Sequence, residues 1–175
     1  TFIEMLIKTL KDKNLNNIKH PIIIICSKNL FKYEIKKQKL KINFQEFDNQ
    51  NNFLKNKIYL VDIPLNYKNL TLTKKNIYIK KSFEVGLNLL KKNNSLGLIN
   101  GPISKKTFLK GKYNGITEFL ANKTDSFNEV MLIFNKKLSV SPITTHVPIN
   151  KVTQKIKRDT IINKIKNIDE FYKKF

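Results

Sequence analysis

The sequence predicts an α/β fold: a mainly parallel sheet with helices on both of its faces. Three observations carry that prediction. The run 21–26 is short and wholly apolar, as a strand buried on both faces must be, and 58–63 reads as a second strand. Stretches with apolar residues at helical spacing alternate with such runs along the chain, which is the rhythm of βαβ units. Further apolar runs end abruptly in turn residues, 96–99 at Asn100-Gly101-Pro102 and 138–143 at Thr144-Thr145-His146-Val147-Pro148. Open α/β sheets collect their ligands at strand ends of this kind.

Taken in order, the first helix is predicted from Ile3, Leu6, Ile7 and Leu10, which fall on one helical face. Strand 21–26 follows, and Ser27 can accept from the free N–H groups of a helix over 29–39. Residues 42–47 alternate, Ile42 and Phe44 against Asn43 and Gln45, and read as a short strand. A polar loop over 48–57 leads to strand 58–63, which Pro64 closes. Residues 65–80 read as irregular, with Asn, Lys and Thr setting turns. A helix is predicted from Ser82 to residue 92. Strands are predicted at 96–99, 130–134 and 138–143, the first two in one sheet with 21–26. Between them Gly115 opens a turn into a short helix, and helices over 148–157 and 160–175 close the chain.

At 175 residues the chain can bury one substantial core, so a single α/β piece is expected; 12 Phe and 6 Tyr argue for a packed globule over disorder. It holds no run of about 18 apolar residues, the length a membrane-spanning helix needs. The apolar run after Pro21 is too short and too far along for a signal peptide. One cysteine, Cys26, can form no disulfide within the chain, which fits a reducing cytoplasm. The net charge of +21 has two accounts, a polyanion partner or compositional drift. Arg158 is the one arginine, and the lysines are spread along the whole chain, so drift is the better account. A basic nucleic-acid-binding module is the reading of another class; it predicts steeply salt-dependent binding to arbitrary DNA.

Few residues stand out as chemistry. His146 ends a strand, and a neutral imidazole suits Zn²⁺ or a similar divalent ion, although one histidine makes no site. Lys105 is either a point charge for phosphate or an exposed lysine beside Lys106. Thr117 either caps the helix it opens or contacts a ligand. Gly101 and Gly115 suit tight turns. His20, ahead of Pro21, reads as an extended surface residue. No G-x-G-x-x-G is present, so a Rossmann fingerprint is absent.

Three pieces occur in order: Asn100-Gly101-Pro102-Ile103-Ser104-Lys105, then Gly115-Ile116-Thr117-Glu118-Phe119, then Thr144-Thr145-His146-Val147-Pro148. Together they resemble the 4-hydroxythreonine-4-phosphate dehydrogenase family of vitamin B6 biosynthesis, whose pattern runs T-G-P-I-N-K, G-H-T-E-F, T-T-H-x-P. The resemblance implies an isocitrate/isopropylmalate dehydrogenase-like fold, with NAD in a cleft between domains. It also implies a divalent metal (Zn, Mg or Co) at a homodimer interface. By the same resemblance His146 is a metal ligand, Thr117 contacts the phosphorylated substrate, and Lys105 matches the family lysine. Ile116 stands where the family has histidine, and isoleucine can neither donate a hydrogen bond nor carry charge. The implied reaction is oxidation of 4-phosphohydroxy-L-threonine with decarboxylation to 3-amino-2-oxopropyl phosphate, a step of pyridoxal phosphate biosynthesis. A related dehydrogenase acting on another phosphorylated or hydroxy acid is the alternative. Family members also carry G-D-P-x-G-I-G-P-E before the first helix, and N-P-H-A-G-E and M-Y-H-D-Q-G after the last. The expectation is therefore an internal piece of a longer two-domain enzyme, inactive alone, with both family termini outside it.

Overall fold

The computed structural model describes residues 2–10, 20–48, 53–93, 97–126 and 129–174. The chain forms two compact units, Thr1–Pro102 and Ile103–Phe175.

The first unit contains helix α1 (Phe2–Leu10), strand β1 (Ile22–Cys26), helix α2 (Lys28–Lys37), strands β2 (Gln45–Glu46) and β3 (Ile58–Asp62), and helix α3 (Leu72–Asn93). The strands make a parallel sheet in the order β1-β3-β2, with Ile24 opposite Leu60. Side chains alternate across a strand, so Ile24, Cys26 and Leu60 share one face. There they bury Ile7 of α1 and Phe31 of α2 completely. Phe44 meets Phe31 edge-on at 5.4 Å. Ile25 points the other way, toward α3. A Cβ on Gly86 of α3 would stand 3.3 Å from Ile25 Cδ1 and 3.0 Å from Leu98 Cδ1, so helix and strand pack close there. Helices thus cover both faces of a parallel sheet, as the apolar strands require.

The start of α2 ties three elements together. Ser27 Oγ accepts the Leu30 N–H at 3.4 Å and Asp62 Oδ1, at the end of β3, accepts the Lys28 N–H at 2.9 Å. The Ser27 N–H donates to the Tyr78 hydroxyl at 2.8 Å, linking α3 to the end of β1. Burial pushes both neighbouring acidic groups up, the Cys26 thiol to about 12 and the Tyr78 hydroxyl to about 12.

Several predicted boundaries move. The strand expected over 42–47 contracts to Gln45–Glu46, because it is an edge strand that pairs with β3 alone. Residues expected to be irregular begin α3 at Leu72, where Thr71 Oγ1 accepts the Lys74 N–H at 3.3 Å. The true cap is therefore Thr71; Ser82 lies within the helix and its hydroxyl donates back to the Tyr78 carbonyl at 2.9 Å. The Lys, Asn and Thr residues that suggested turns form the solvent face of this helix, while Ile79, Phe83, Gly86 and Leu90 form its inner stripe. Residues 97–99 are not a strand, Ile99 being 91% exposed, and Leu96 lies outside the described residues.

The second unit holds a π-helical turn (Lys105–Leu109), helix α4 (Ile116–Lys123), strands β4 (Ile133–Phe134) and β5 (Ser139–Val140), and helices α5 (Val152–Lys155) and α6 (Arg158–Lys174). The run 130–134, expected to join the sheet of 21–26, forms β4 and pairs instead with β5, antiparallel, Ile133 opposite Val140. The reason is their separation. A parallel partner needs a crossover of a dozen or more residues, whereas a short turn suffices for a hairpin. Here Asn135 sets it, its Oδ1 accepting the Lys137 N–H at 3.1 Å. Around α4, Leu109, Phe119 and Ala121 are buried, and Phe108 and Tyr113 meet Phe119 edge-on at 5.4 and 5.5 Å. The helix expected over 148–157 is a 3-10 turn (Ile149–Lys151) followed by α5. Among the described residues no helix is long and apolar enough to cross a membrane.

Candidate functional site

The second unit brings two of the three motif segments together. Gly115 is the cap residue of α4, in extended backbone, and places Ile116, Thr117 and Glu118 in the first turn. The loop after β5 carries Thr144, Thr145 and His146 against that turn. Thr145 Oγ1 donates to Glu118 Oε1 at 3.4 Å. A Cβ on Gly115 would lie 2.9 Å from Glu118 Oε2 and 3.7 Å from His146 Nε2. A side chain at 115 would displace the tip of Glu118 and come into ordinary contact with the imidazole.

His146 itself is exposed and holds φ +55°, the left-handed region. A non-glycine residue there costs about 1 kcal/mol or more, and Lys39, Asn56, Lys110 and Asp125 adopt the same region. The tether from Thr145 to Glu118 helps to hold the bend.

Glu118 is the residue whose role the sequence did not reveal. It stands at the third helical position, where a glutamate commonly reaches back to the cap residue's N–H. Here it does not: Oε2 is sealed from solvent and has no hydrogen-bond partner. An unsatisfied buried acceptor costs about 1–3 kcal/mol, more when charged. One signal was available in the sequence. An acid at that position is normally paired with a Ser or Thr at the cap, and this one follows glycine.

The remaining candidates are placed as follows. Thr117 is half-buried at the second helical position of α4, and the cap residue is Gly115, so Thr117 is not the cap. Ile116, beside it, is also half-buried. Lys105 opens the π-helical turn, exposed, where Ser104 Oγ accepts the Thr107 N–H at 3.4 Å. Gly101 belongs to the first unit, where a Cβ would overlap Cγ, Cδ1 and Cδ2 of the Phe2 ring. His20 is exposed. A hollow of about 690 Å³ in the first unit, lined by Lys32, Tyr33, Lys36, Tyr67 and Lys68 among others, contains none of the motif residues.

As a metal cradle the arrangement is partial. His146 Nε2 and Glu118 Oε2 are donor types that divalent ions such as Zn²⁺ accept. A catalytic ion takes about three protein ligands. Among the described residues no group of three His, Cys, Asp or Glu side chains is placed to hold one. The fit is thus to one part of a site.

Solved structures of similar shape define the class first. The structure of 4-hydroxythreonine-4-phosphate dehydrogenase from Klebsiella pneumoniae matches with a TM-score of 0.78 at 19% identity, covering 98% of this chain and 54% of that one. A 4-hydroxythreonine-4-phosphate dehydrogenase from Burkholderia phymatum matches with 0.75 at 19% identity, covering 94% and 52%. These likenesses show the fold, an α/β architecture of the isocitrate-dehydrogenase-like class. The particular family follows from sequence. Residues 17–175 match the family described as "Pyridoxal phosphate biosynthetic protein PdxA", and the chain belongs to it. The 4-hydroxythreonine-4-phosphate dehydrogenase of Sulfurihydrogenibium sp. is 29% identical over 181 residues, covering 98% of this chain and 54% of that protein. That of Aquifex aeolicus is 34% identical over 87 residues, 48% of this chain and 27% of that protein. The chain spans about half the length of the first of these curated relatives.

Proposed function

We propose that this chain is part of a two-domain, cytoplasmic, homodimeric enzyme that oxidises 4-phosphohydroxy-L-threonine with NAD. Decarboxylation to 3-amino-2-oxopropyl phosphate then follows, within pyridoxal phosphate biosynthesis. The observation that supports this reading best is the left-handed turn that sets His146 against Gly115 and Glu118, in a chain of this family. His146 supplies one nitrogen ligand to a divalent ion. Thr117, free of any capping duty, contacts the phosphorylated substrate, and Lys105 adds positive charge for the phosphate. The ion, when bound, supplies Lewis-acid polarisation of the substrate's hydroxyl oxygen, and NAD, when bound, accepts the hydride. What this chain contributes is position: the α4 turn and the loop after β5 are pinned to one another before any ligand arrives.

A second reading has its own observation. Ile116 occupies the family's histidine position and lacks any polar atom that could contact a substrate. A related phosphorylated or hydroxy acid, lacking the group that histidine would meet, is then the substrate. A site built to hydrogen-bond a group loses about 10⁴-fold or more when the pairing is broken, so the two readings separate sharply.

The deciding assay is NADH production by the full-length protein from 4-phosphohydroxy-L-threonine and from a panel of related acids, each with and without His146→Ala. Turnover that vanishes in the His146→Ala variant, with the fold intact by circular dichroism, is the expected result. Wild-type turnover by that variant would overturn the placement of the catalytic centre. Ile116→His should raise turnover with 4-phosphohydroxy-L-threonine if that acid is the substrate and the isoleucine a weakened contact.

A further inference from the structure

The hollow of about 690 Å³ in the first unit has no part in the motif site, yet its lining is chemically coherent. One wall is the outer face of α2, where Lys32, Tyr33 and Lys36 lie on one side while Phe31 and Glu34 are buried on the other. The other wall is the chain that leaves β3: Leu65, then a 3-10 turn (Tyr67–Asn69) whose start is fixed by Asn66 Oδ1 accepting the Lys68 N–H at 3.3 Å. The walls meet at Tyr33 and Tyr67, with ring centroids 5.7 Å apart and planes inclined by 37°. The hollow thus opens beside the carboxyl end of β3, the side of a parallel sheet at which ligands collect.

Charge and shape narrow the ligand. Lys32, Lys36 and Lys68 are exposed, and none forms an ion pair with a described residue. No acid lines the hollow among those residues. Lys32 does act on the Glu46 carboxyl, but Glu46 is already bonded to Lys28. Three ammonium groups in one hollow without a carboxylate favour a ligand with more than one negative charge, and lysine takes phosphate as a point charge. Tyr33 is 49% exposed, so its ring has an open face for a flat group, and Leu65 adds apolar surface. The volume falls within the range of small-ligand sites, about 300–1,000 Å³. We propose that this hollow is a binding site for a small phosphorylated aromatic molecule of the mononucleotide class, its ring against Tyr33 and Tyr67 and its phosphate against Lys32, Lys36 and Lys68. Compositional drift accounts for lysines spread over a surface; it does not account for three of them gathered round a tyrosine pair. The inference stands apart from the reading of His146.

The test is calorimetry on the full-length protein with AMP as probe, NAD being kept saturating so that a dinucleotide site is already filled. We expect AMP to bind, and adenosine or inorganic phosphate to bind at least about 10-fold more weakly, since each engages half of the hollow. Removing two charges in Lys32→Gln/Lys36→Gln, or one ring in Tyr33→Leu, should weaken AMP binding about 10-fold or more. As a control of equal charge, Lys91→Gln/Lys92→Gln at the end of α3 should keep the wild-type Kd. Equal weakening by that control assigns the effect to net charge and overturns the proposal. A wild-type Kd in Lys32→Gln/Lys36→Gln overturns it as well, and so does phosphate that binds as tightly as AMP. Binding of an oligothymidylate without binding of AMP overturns it in favour of nucleic acid. If Tyr33→Leu does not fold, the two double-lysine variants decide alone. Failure of AMP to bind overturns this site and leaves the proposed function standing.

Discussion

Two glycines show how a single absent methyl is used for different ends. At Gly86 an added Cβ meets the flexible tips of Leu98 and Ile25 at 3.0 and 3.3 Å. Those tips can yield, and alanine in a helix interior is favoured over glycine by about 0.5–1 kcal/mol. Gly86→Ala should therefore leave the urea midpoint nearly unchanged. At Gly101 the obstacle is the ring of Phe2, a rigid group, so Gly101→Ala should cost about 1–3 kcal/mol in the same experiment. Charge at the residue scale is simpler. Glu46 and Lys28 form an ion pair between β2 and the start of α2. The hydrogen bond from Lys28, with its charge, lowers the Glu46 carboxyl, and the bond to Glu46 raises the Lys28 amine. A lowered carboxyl contributes stability above its unfolded pKa and loses it as pH falls through the folded value. A raised amine contributes below its unfolded pKa and loses it as pH rises through the folded value. Stability profiles of wild type and Glu46→Gln should hence differ at neutral pH and converge in acid, by a small margin because the pair is exposed. Convergence at neutral pH would show the pair to be without effect.

At the scale of elements, the first unit depends on what α1 and α2 bury against β1 and β3. Phe31 is fully enclosed and braced by Phe44. Phe31→Ala should cost about 3–5 kcal/mol, measured by urea unfolding, because the surrounding ring and strand residues cannot collapse into the space. The same burial protects Cys26, whose thiol is pushed up to about 12 first by desolvation and then by Asp62. A thiol reagent at pH 8 should leave the native chain untouched and modify it after unfolding. Strands read in the sequence with the right character took different partners for a reason that lies in chain length. The run at 133–134 is as apolar as β1, yet Ile133 and Phe134 are 60% and 66% exposed. Its nearest strand-forming neighbour lies one short turn away, so a hairpin is the accessible pairing. The reach of a helix was misread for a related reason. Thr73 and Asn76 are weak helix formers taken singly, but the stripe from Ile79 to Leu90 draws the first turns of α3 into register with it.

For the whole molecule, the prediction concerns what this stretch does by itself. The curated relative that covers it is nearly twice as long, and the described residues offer no three-donor metal group. One imidazole gives weak, exchangeable binding, since the benefit of several ligands held in one geometry is lost. The 175-residue chain alone should show no NADH production and only feeble Zn²⁺ affinity by calorimetry, while the full-length protein shows both. An active 175-residue chain would contradict the proposal that further metal ligands come from residues outside it.

Composition and local pattern were enough to establish the α/β class, the buried β1, the amphipathic α1, and the cap at Ser27, because each depends on residues within a few positions of one another. The motif spacing likewise pointed to the family to which the chain belongs. Pairing and contact did not follow from it. Which strands share a sheet is settled by competition among partners distant in sequence, and here β1 found β3 while β4 found β5. The meeting of Glu118 with Thr145, 27 positions apart, is of the same kind. No local rule encodes it, since the carboxylate reaches the loop only when α4 and the chain after β5 have packed together.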